Sequence, residues 1–364
     1  MDKPLRTGRT TGTCASAAAM AGVRFLLAGE RPGTVDVPLP PGGNLAVPVE
    51  RLEPLDGAVR VTVLKDGGDD PDVTHGHEIQ AVVRAKPGDG PLRVVLDGGK
   101  GVGRATLPGL PVAVGEAAIN PEPRKQIEAA VRRAAKEFGG RILVTIEVPE
   151  GETLAQATMN PRLGIVGGIS ILGTQGIVKP YSHASWKATI EEGLSVARAM
   201  GLDHAVFTTG RRSERFYLER HPDTPPQALI QAADFFEFAL RAAAAHGFRR
   251  VTWAVFFGKL VKQAQGLDST HAKDHPVDFA LLAERCREAG CAPALLPAIR
   301  EANTAVQVLG MLHDDPALNG LVHLLVEKAR EAAEERTGKL CAVLYTVFDF
   351  DGRPLAEVSP RPTP

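Results

Sequence analysis

HAVFTTGRRS, residues 204–213, reads as a short apolar strand that ends in Thr209-Gly210 and runs straight into a basic helix start. The grammar returns at RVTWAVFFGK, residues 250–259, where an apolar strand leads into Gly258-Lys259. Helical patterns over about 185–200 and 226–246 stand before and between these strands. Strand-helix-strand alternation implies βαβ units and a largely parallel sheet. Beyond them, 277–336 reads as mostly helical. A late strand at 340–348, with an Asp351-Gly352 turn behind it, returns to complete the sheet.

The first part of the chain has a different grammar. Small residues dominate 14–28 (CASAAAMAGVRFLLA) and favour helix. Thr10, Thr11 and Thr13 stand ahead of it, where hydroxyls cap free backbone N–H groups, and Gly29 is a stop. Period-two segments at 35–37, 45–52, 58–65, 78–86 and 92–96 read as strands. An amphipathic helix at 123–138 and a strand at 142–148 follow. The fold class expected is therefore α/β and α+β in two domains. Residues 1–155 form an α+β domain, and 156–364 form a βαβ-type domain with a mostly parallel sheet.

Composition narrows the class of function. The 364 residues carry 42 Lys+Arg against 43 Asp+Glu, a net charge of −1, which argues against an electrostatic nucleic-acid binder. No apolar run reaches the roughly 18 residues that span a bilayer, and MDKPLRTGRTTGTC lacks a signal peptide's apolar core. The expectation is a cytoplasmic enzyme with no membrane partner. Four scattered cysteines do not make a disulfide framework. The 38 glycines and 28 prolines place much of the backbone in turns and unusual loops.

Several polar and glycine-rich clusters are candidates for chemistry. KDGGDDPDVTHG, residues 65–76, follows a strand and packs four carboxylates into seven residues, which repel unless cations or donors relieve them. It lacks calcium-loop spacing, so it is either a solvated turn or a binding loop. Gly98–Gly103 imitates a dinucleotide fingerprint, but no helix opens behind it, so it reads as a turn between strands. GIVGGISILGTQG, residues 164–176, lets backbone N–H groups approach a ligand closely, and structural necessity accounts for it equally well. Arg211, Arg212 and Arg215 follow a strand where parallel sheets bind ligands, and suit carboxylates. Lys259, Lys262 and the Asp268-Ser269-Thr270-His271 cluster come after the next strand. The pairs His75/His77 and His271/His275 have zinc-like spacing without a third ligand set. Cys286 and Cys291 read as buried thiols.

These strings together resemble the CbiD family. The matching segments are Thr10–Ala15, Lys65–Thr74, Gly101–Gly103, Gly115–Pro121, Asn160–Ile165, Gly167–Thr174, Gly258–Leu260 and Thr270-His271. They run in order over roughly three quarters of the chain. Gly67 and Gln175 stand where the family pattern has Ala and Thr. The resemblance implies methyl transfer from S-adenosylmethionine to ring carbon C1 of cobalt-precorrin-5B, in the anaerobic route to cobalamin. It also implies S-adenosyl-L-methionine as co-substrate, a cobalt-precorrin macrocycle as substrate, and no metal bound by the protein itself, since cobalt arrives within the substrate. A homo-oligomer is compatible with it. The rivals are a corrinoid-pathway enzyme of another reaction type and a tetrapyrrole-binding carrier.

Given that chemistry, Asp69, Asp70 and His75 become the catalytic candidates by their place in the polar cluster. Gly167, Gly168, Ser170, Gly173, Thr174 and Gly176 become the expected cofactor loop. Thr10, Thr11, Thr13, Arg211, Arg212, Lys259, Lys262, Thr270 and His271 are expected to hold the acidic substrate. A sulfonium methyl is already activated, so positioning rather than a protein nucleophile carries the reaction.

Overall fold

The computed structural model describes residues 4–271 and 275–358. The chain is mixed α/β and divides between Ser182 and His183 into two compact units.

The first unit opens with β1 (Gly8–Arg9), α1 (Thr11–Ala28), β2 (Thr34–Pro38), β3 (Asn44–Pro48), β4 (Arg51–Leu55), β5 (Ala58–Leu64) and β6 (Glu78–Pro87). It continues with β7 (Arg93–Gly98), β8 (Gly101–Val102), β9 (Arg104–Ala105), α2 (Pro121–Ala135), β10 (Gly140–Glu147) and α3 (Gly151–Ala155). Three two-residue strands close it: β11 (Ile165–Val166), β12 (Gly168–Ile169) and β13 (Ile177–Val178). The main sheet has the order β4-β5-β6-β10-β7, antiparallel except for the β10-β7 pair. Val59, Val61 and Val63 of β5 alternate onto one face with Ile79, Ala81 and Val83 of β6 and Ile142, Val144 and Ile146 of β10. Each buried valine of this kind contributes roughly 1.5–3 kcal/mol.

Helices α1 and α2 cover that face. The small residues of α1 let it lie close to the sheet: a Cβ at Gly22 would stand 2.6 Å from Val83 Cγ2. Among the described residues, α1 is also the one helix long and apolar enough to cross a membrane, and it is mostly buried in this core.

Two expectations change here. The expected strand at 45–52 is two strands, because β3 pairs with β2 while β4 pairs with β5. The glycine run, read from sequence as part of the second domain, belongs with the first unit. Its strands pair as β11 with β9, β12 with β8, and β13 with β1. The division between units accordingly falls at 182/183 rather than near 155.

The second unit contains α4 (His183–Ala199), β14 (His204–Thr208), α5 (Arg211–Arg220), β15 (Leu229–Gln231), α6 (Phe236–Ala245), β16 (Arg250–Phe256) and α7 (Phe257–Ala264). Then come α8 (Phe279–Glu288), α9 (Leu296–Arg300), α10 (Ala305–Met311), α11 (Leu318–Arg336), β17 (Ala342–Phe348) and β18 (Pro354–Val358). Its sheet has the order β15-β14-β16-β17-β18, parallel except for β18. Phe207, Trp253, Val255, Tyr345 and Val347 face the larger helical layer, including α6, α7 and α11. Val206, Ala254 and Phe348 face Phe216 and Tyr217 of α5. Both faces are covered, as parallel sheets require.

The expected helix at 226–246 resolves into the short edge strand β15 and then α6. Leu229–Gln231 runs parallel beside Val206–Thr208, and left-handed Ala233 (φ 48°) interrupts the chain before the helix. From β14 the chain passes through α5 to β15 on one side, and from β16 it passes through α7 to β17 on the other. The connections that leave neighbouring β14 and β16 therefore run to opposite sides, which makes this the switch point where open α/β sheets bind ligands.

Candidate active site

In the first unit, the loop between β5 and β6 resolves its own crowded charge. The Lys65 ammonium is buried and lies 2.7 Å from Asp72 Oδ2. Asp72 Oδ1 accepts from Thr74 N at 2.8 Å and Thr74 Oγ1 at 2.6 Å. Burial pushes the Asp72 carboxyl up, but Lys65 and the Thr74 bonds outweigh it and hold the group below its ordinary value. Asp66 is bonded by Arg6 at 2.6 Å and by Gly68 N at 2.9 Å. The Arg6 hydrogen bond leads in lowering its pKa to about 2.

The catalytic candidates Asp69 and Asp70 hold backbone. Asp69 Oδ2 accepts from Arg6 N at 2.6 Å, and Asp70 Oδ1 accepts from Tyr181 N at 2.9 Å. Tyr181 is left-handed, with φ 55°. His75 Nδ1 accepts from Gly67 N at 3.0 Å, so a neutral His75 presents Nε2–H outward, a donor rather than a base.

The threonines and the glycine run meet at the head of α1. Thr10 caps it by accepting from Thr13 N at 3.2 Å, and Gly12 N donates to Leu172 O at 3.3 Å. Thr11 Oγ1 accepts from Leu172 N at 2.9 Å, and Thr13 Oγ1 donates to Gly176 O at 2.7 Å. Gly173 (φ 122°) leaves no room for a Cβ against Thr10, and a Cβ at Gly176 would lie 2.9 Å from Thr13 Oγ1. Gly168 packs on the backbone of Gly101, and its carbonyl accepts from Asn160 Nδ2 at 3.1 Å. Ser170 Oγ donates to Asn160 Oδ1 at 3.4 Å. Gly167 and Thr174 are exposed. The close approaches of this run are thus largely to its own chain. Cys14, one turn into α1, is no nucleophile: burial pushes its thiol up to about 11.

In the second unit, the substrate candidates Lys259, Lys262, Thr270 and His271 come together. Lys259 Nζ donates to Asp234 Oδ1 and, at 3.2 Å, to Thr270 O. Lys262 Nζ donates to Thr270 O at 3.0 Å and His271 O at 3.3 Å. Thr270 Oγ1 donates to Asp234 Oδ1 at 2.8 Å. Arg211 and Arg212 open α5, which follows β14. The Arg212 guanidinium stacks 3.9 Å from the Phe350 ring centroid and donates to the Phe350 carbonyl.

The head of α5 is poised for an anion. The N-cap of α5 is Gly210 (φ 149°), which makes no side-chain cap, and among the described residues the space beside its Cα is open. At the end of β14, on the strand face that packs against α5, Thr208 Oγ1 is buried with no hydrogen-bond partner among the described residues. First-turn amides and the positive end of the helix dipole favour a negative group.

Asp234 escaped the sequence reading, because it fell inside the expected helix at 226–246, where a single Asp reads as a solvated position. Its one signal was its place after a strand that was itself read as helix. Lys65 and Asp72 were in view, but only as members of a string.

Comparison with known proteins agrees with the strings quoted above. The family profile CbiD matches residues 1–180, and the profile of the CbiD C-terminal domain matches 269–359. The cobalt-precorrin-5B C(1)-methyltransferase of Nitratidesulfovibrio vulgaris is 51% identical over 360 residues, covering 96% of this chain and 92% of that one. The protein of the same name from Geobacillus kaustophilus is 42% identical and covers 98% and 95%. A crystal structure of the cobalamin biosynthesis protein CbiD from Archaeoglobus fulgidus is 31% identical, covers 70% of this chain and 78% of that one, and superposes with a TM-score of 0.39. With about half of its residues identical to a curated relative along nearly its full length, the chain belongs to the CbiD family.

Proposed function

We propose that this protein methylates ring carbon C1 of cobalt-precorrin-5B, with S-adenosylmethionine as the methyl donor, in cobalamin biosynthesis. The observation that carries the reading is the 51% identity to a cobalt-precorrin-5B C(1)-methyltransferase over 96% of the chain.

The second unit fits the amino-acid end of the donor. Its carboxylate suits the open head of α5, where the Thr208 hydroxyl, orphaned among the described residues, adds a polar group. We therefore assign the donor to the α5 head. Gly168, Gly173, Gly176 and Ser170, with Thr10, Thr11 and Thr13, act as a latch that shapes the first unit. When bound, S-adenosylmethionine supplies an electrophilic methyl group.

The chain's residues supply position and charge. Lys259 and Lys262, with Arg211, take the acid side chains of the macrocycle, and Arg212 braces the Phe350 turn beside them. Asp69 and Asp70 fix backbone at Arg6 and Tyr181, so their role is to hold the loop rather than to move a proton. Alignment of donor and acceptor carbon is the kind of catalysis such a site provides.

The test is direct. Purified protein incubated with cobalt-precorrin-5B and isotopically labelled S-adenosylmethionine should yield a macrocycle carrying one labelled methyl at C1. Binding of S-adenosylhomocysteine should be tight. Pigment binding without label transfer would favour a carrier, and an unmethylated but altered macrocycle would favour another reaction type.

A further inference from the structure

Lys259 and Lys262 sit one helical turn apart on α7, and both ammonium groups donate to the same oxygen, that of Thr270, at 3.2 and 3.0 Å. Each makes one further bond, Lys259 to Asp234 and Lys262 to the His271 carbonyl. An ammonium group has three donors, so each lysine retains one N–H beyond these bonds. Among the described residues these two cations share one carboxylate, and Lys262 is 8% exposed with carbonyl oxygens as its acceptors. Burial, and then the neighbouring Lys259 charge, push the Lys262 pKa down, while Asp234 opposes them. A half-compensated pair of cations at the carboxyl end of a parallel sheet is a socket for an anion.

Asp234 organises this socket. Its carboxylate holds Lys259 and accepts from Thr270 Oγ1 at 2.8 Å, while its carbonyl accepts from Thr270 N at 3.0 Å. It thereby fixes both ends of the residue whose carbonyl the two lysines share. The preceding Ala233 is left-handed (φ 48°), a backbone state that persists where surrounding bonds over-determine it.

We propose that Asp234 is a positioning residue: by clamping Lys259 and Thr270 it presets the two ammonium groups as a paired socket for one carboxylate of the macrocycle. The inference rests on the acidic-macrocycle reading above. It deepens that reading by making the lysine pair a single unit that depends on a residue outside the sequence motifs.

The test uses the full-length enzyme and separates KM for cobalt-precorrin-5B from KM for S-adenosylmethionine. Asp234→Asn should raise the macrocycle KM about tenfold, with kcat within about twofold and the donor KM unchanged. Lys259→Met should do the same, and the double variant should be little worse than either, because the two act as one unit. Thr270→Val, which removes one bond to Asp234, should raise the same KM about threefold and serves if Asp234→Asn does not fold. A macrocycle KM unchanged in Asp234→Asn but raised in Lys259→Met would overturn the positioning role alone. Unchanged values in both would overturn the acidic-ligand reading at this site. A rise confined to the donor KM would exclude the macrocycle as the ligand, and an equal fall of kcat with both substrates would reduce Asp234 to a general structural role.

Discussion

The Lys65 ammonium, 2% exposed, lies 2.7 Å from the Asp72 carboxylate, whose side chain keeps 22% of its surface. Removing one partner leaves a buried charge without compensation, which typically costs about 3–5 kcal/mol. Asp72 retains some solvent, so Asp72→Ala should lose about 3 kcal/mol in urea unfolding at neutral pH. Lys65→Met, which removes the buried cation instead, should cost less. Equal losses from both would mean that the pair contributes packing rather than charge compensation.

Acid should loosen the same loop. Asp66 has its pKa lowered to about 2, first by the Arg6 hydrogen bond, against about 3.9 when unfolded. A carboxylate with a depressed folded pKa adds stability above the unfolded value and loses it as pH falls through the folded one. Asp72 is shifted in the same direction. Unfolding free energy should therefore fall between about pH 4 and pH 2. Asp66→Asn should remove about 1 kcal/mol of that slope, allowing for solvent screening. A pH profile identical to the parent's in that window would show that Asp66 does not contribute.

Gly173 should prove to be a folding residue. Its φ of 122° excludes ordinary side chains, and Thr10 occupies the Cβ position. Gly173→Val must displace the cap of α1, so it should lower stability by about 3 kcal/mol or more. S-adenosylhomocysteine should still bind to whatever fraction folds. Calorimetry with a thermal melt separates the two effects: a stable variant that has lost the ligand would move the donor back to the glycine run.

The difference between what was legible and what was not follows the range of the interactions. The helix propensity of α1, the alternation in β5 and the apolar runs of β14 and β16 are local, and they appear in the sequence where the structure has them. The partners of the glycine run are not local. Gly168 meets Gly101, and Thr11 bonds Leu172, across stretches in which periodicity carries no information. A glycine string reads alike whether a ligand or its own chain fills the space beside it. Lys259, Lys262, Thr270 and His271 were legible as cations and polar groups after a strand. Asp234, which joins them, sits behind a three-residue strand too short to stand out from the helix that follows.

The strained residue beside Asp234 offers a test in which stability and function part company. For an L-residue the left-handed conformation of Ala233 (φ 48°) costs about 1–2 kcal/mol. Glycine removes that cost but adds roughly 0.5–1 kcal/mol of unfolded-chain entropy. Ala233→Gly should therefore stabilise the protein by about 0.5 kcal/mol, a rise of about 1–2 °C in Tm. The same change frees the backbone that presents Asp234 to Lys259 and Thr270. Macrocycle KM should rise about twofold while kcat stays level. Calorimetry and steady-state kinetics on one preparation read both quantities. A fall in Tm would mean that the left-handed turn is not strained, and an unchanged KM would mean that the bonds to Lys259 and Thr270 hold Asp234 in place without it.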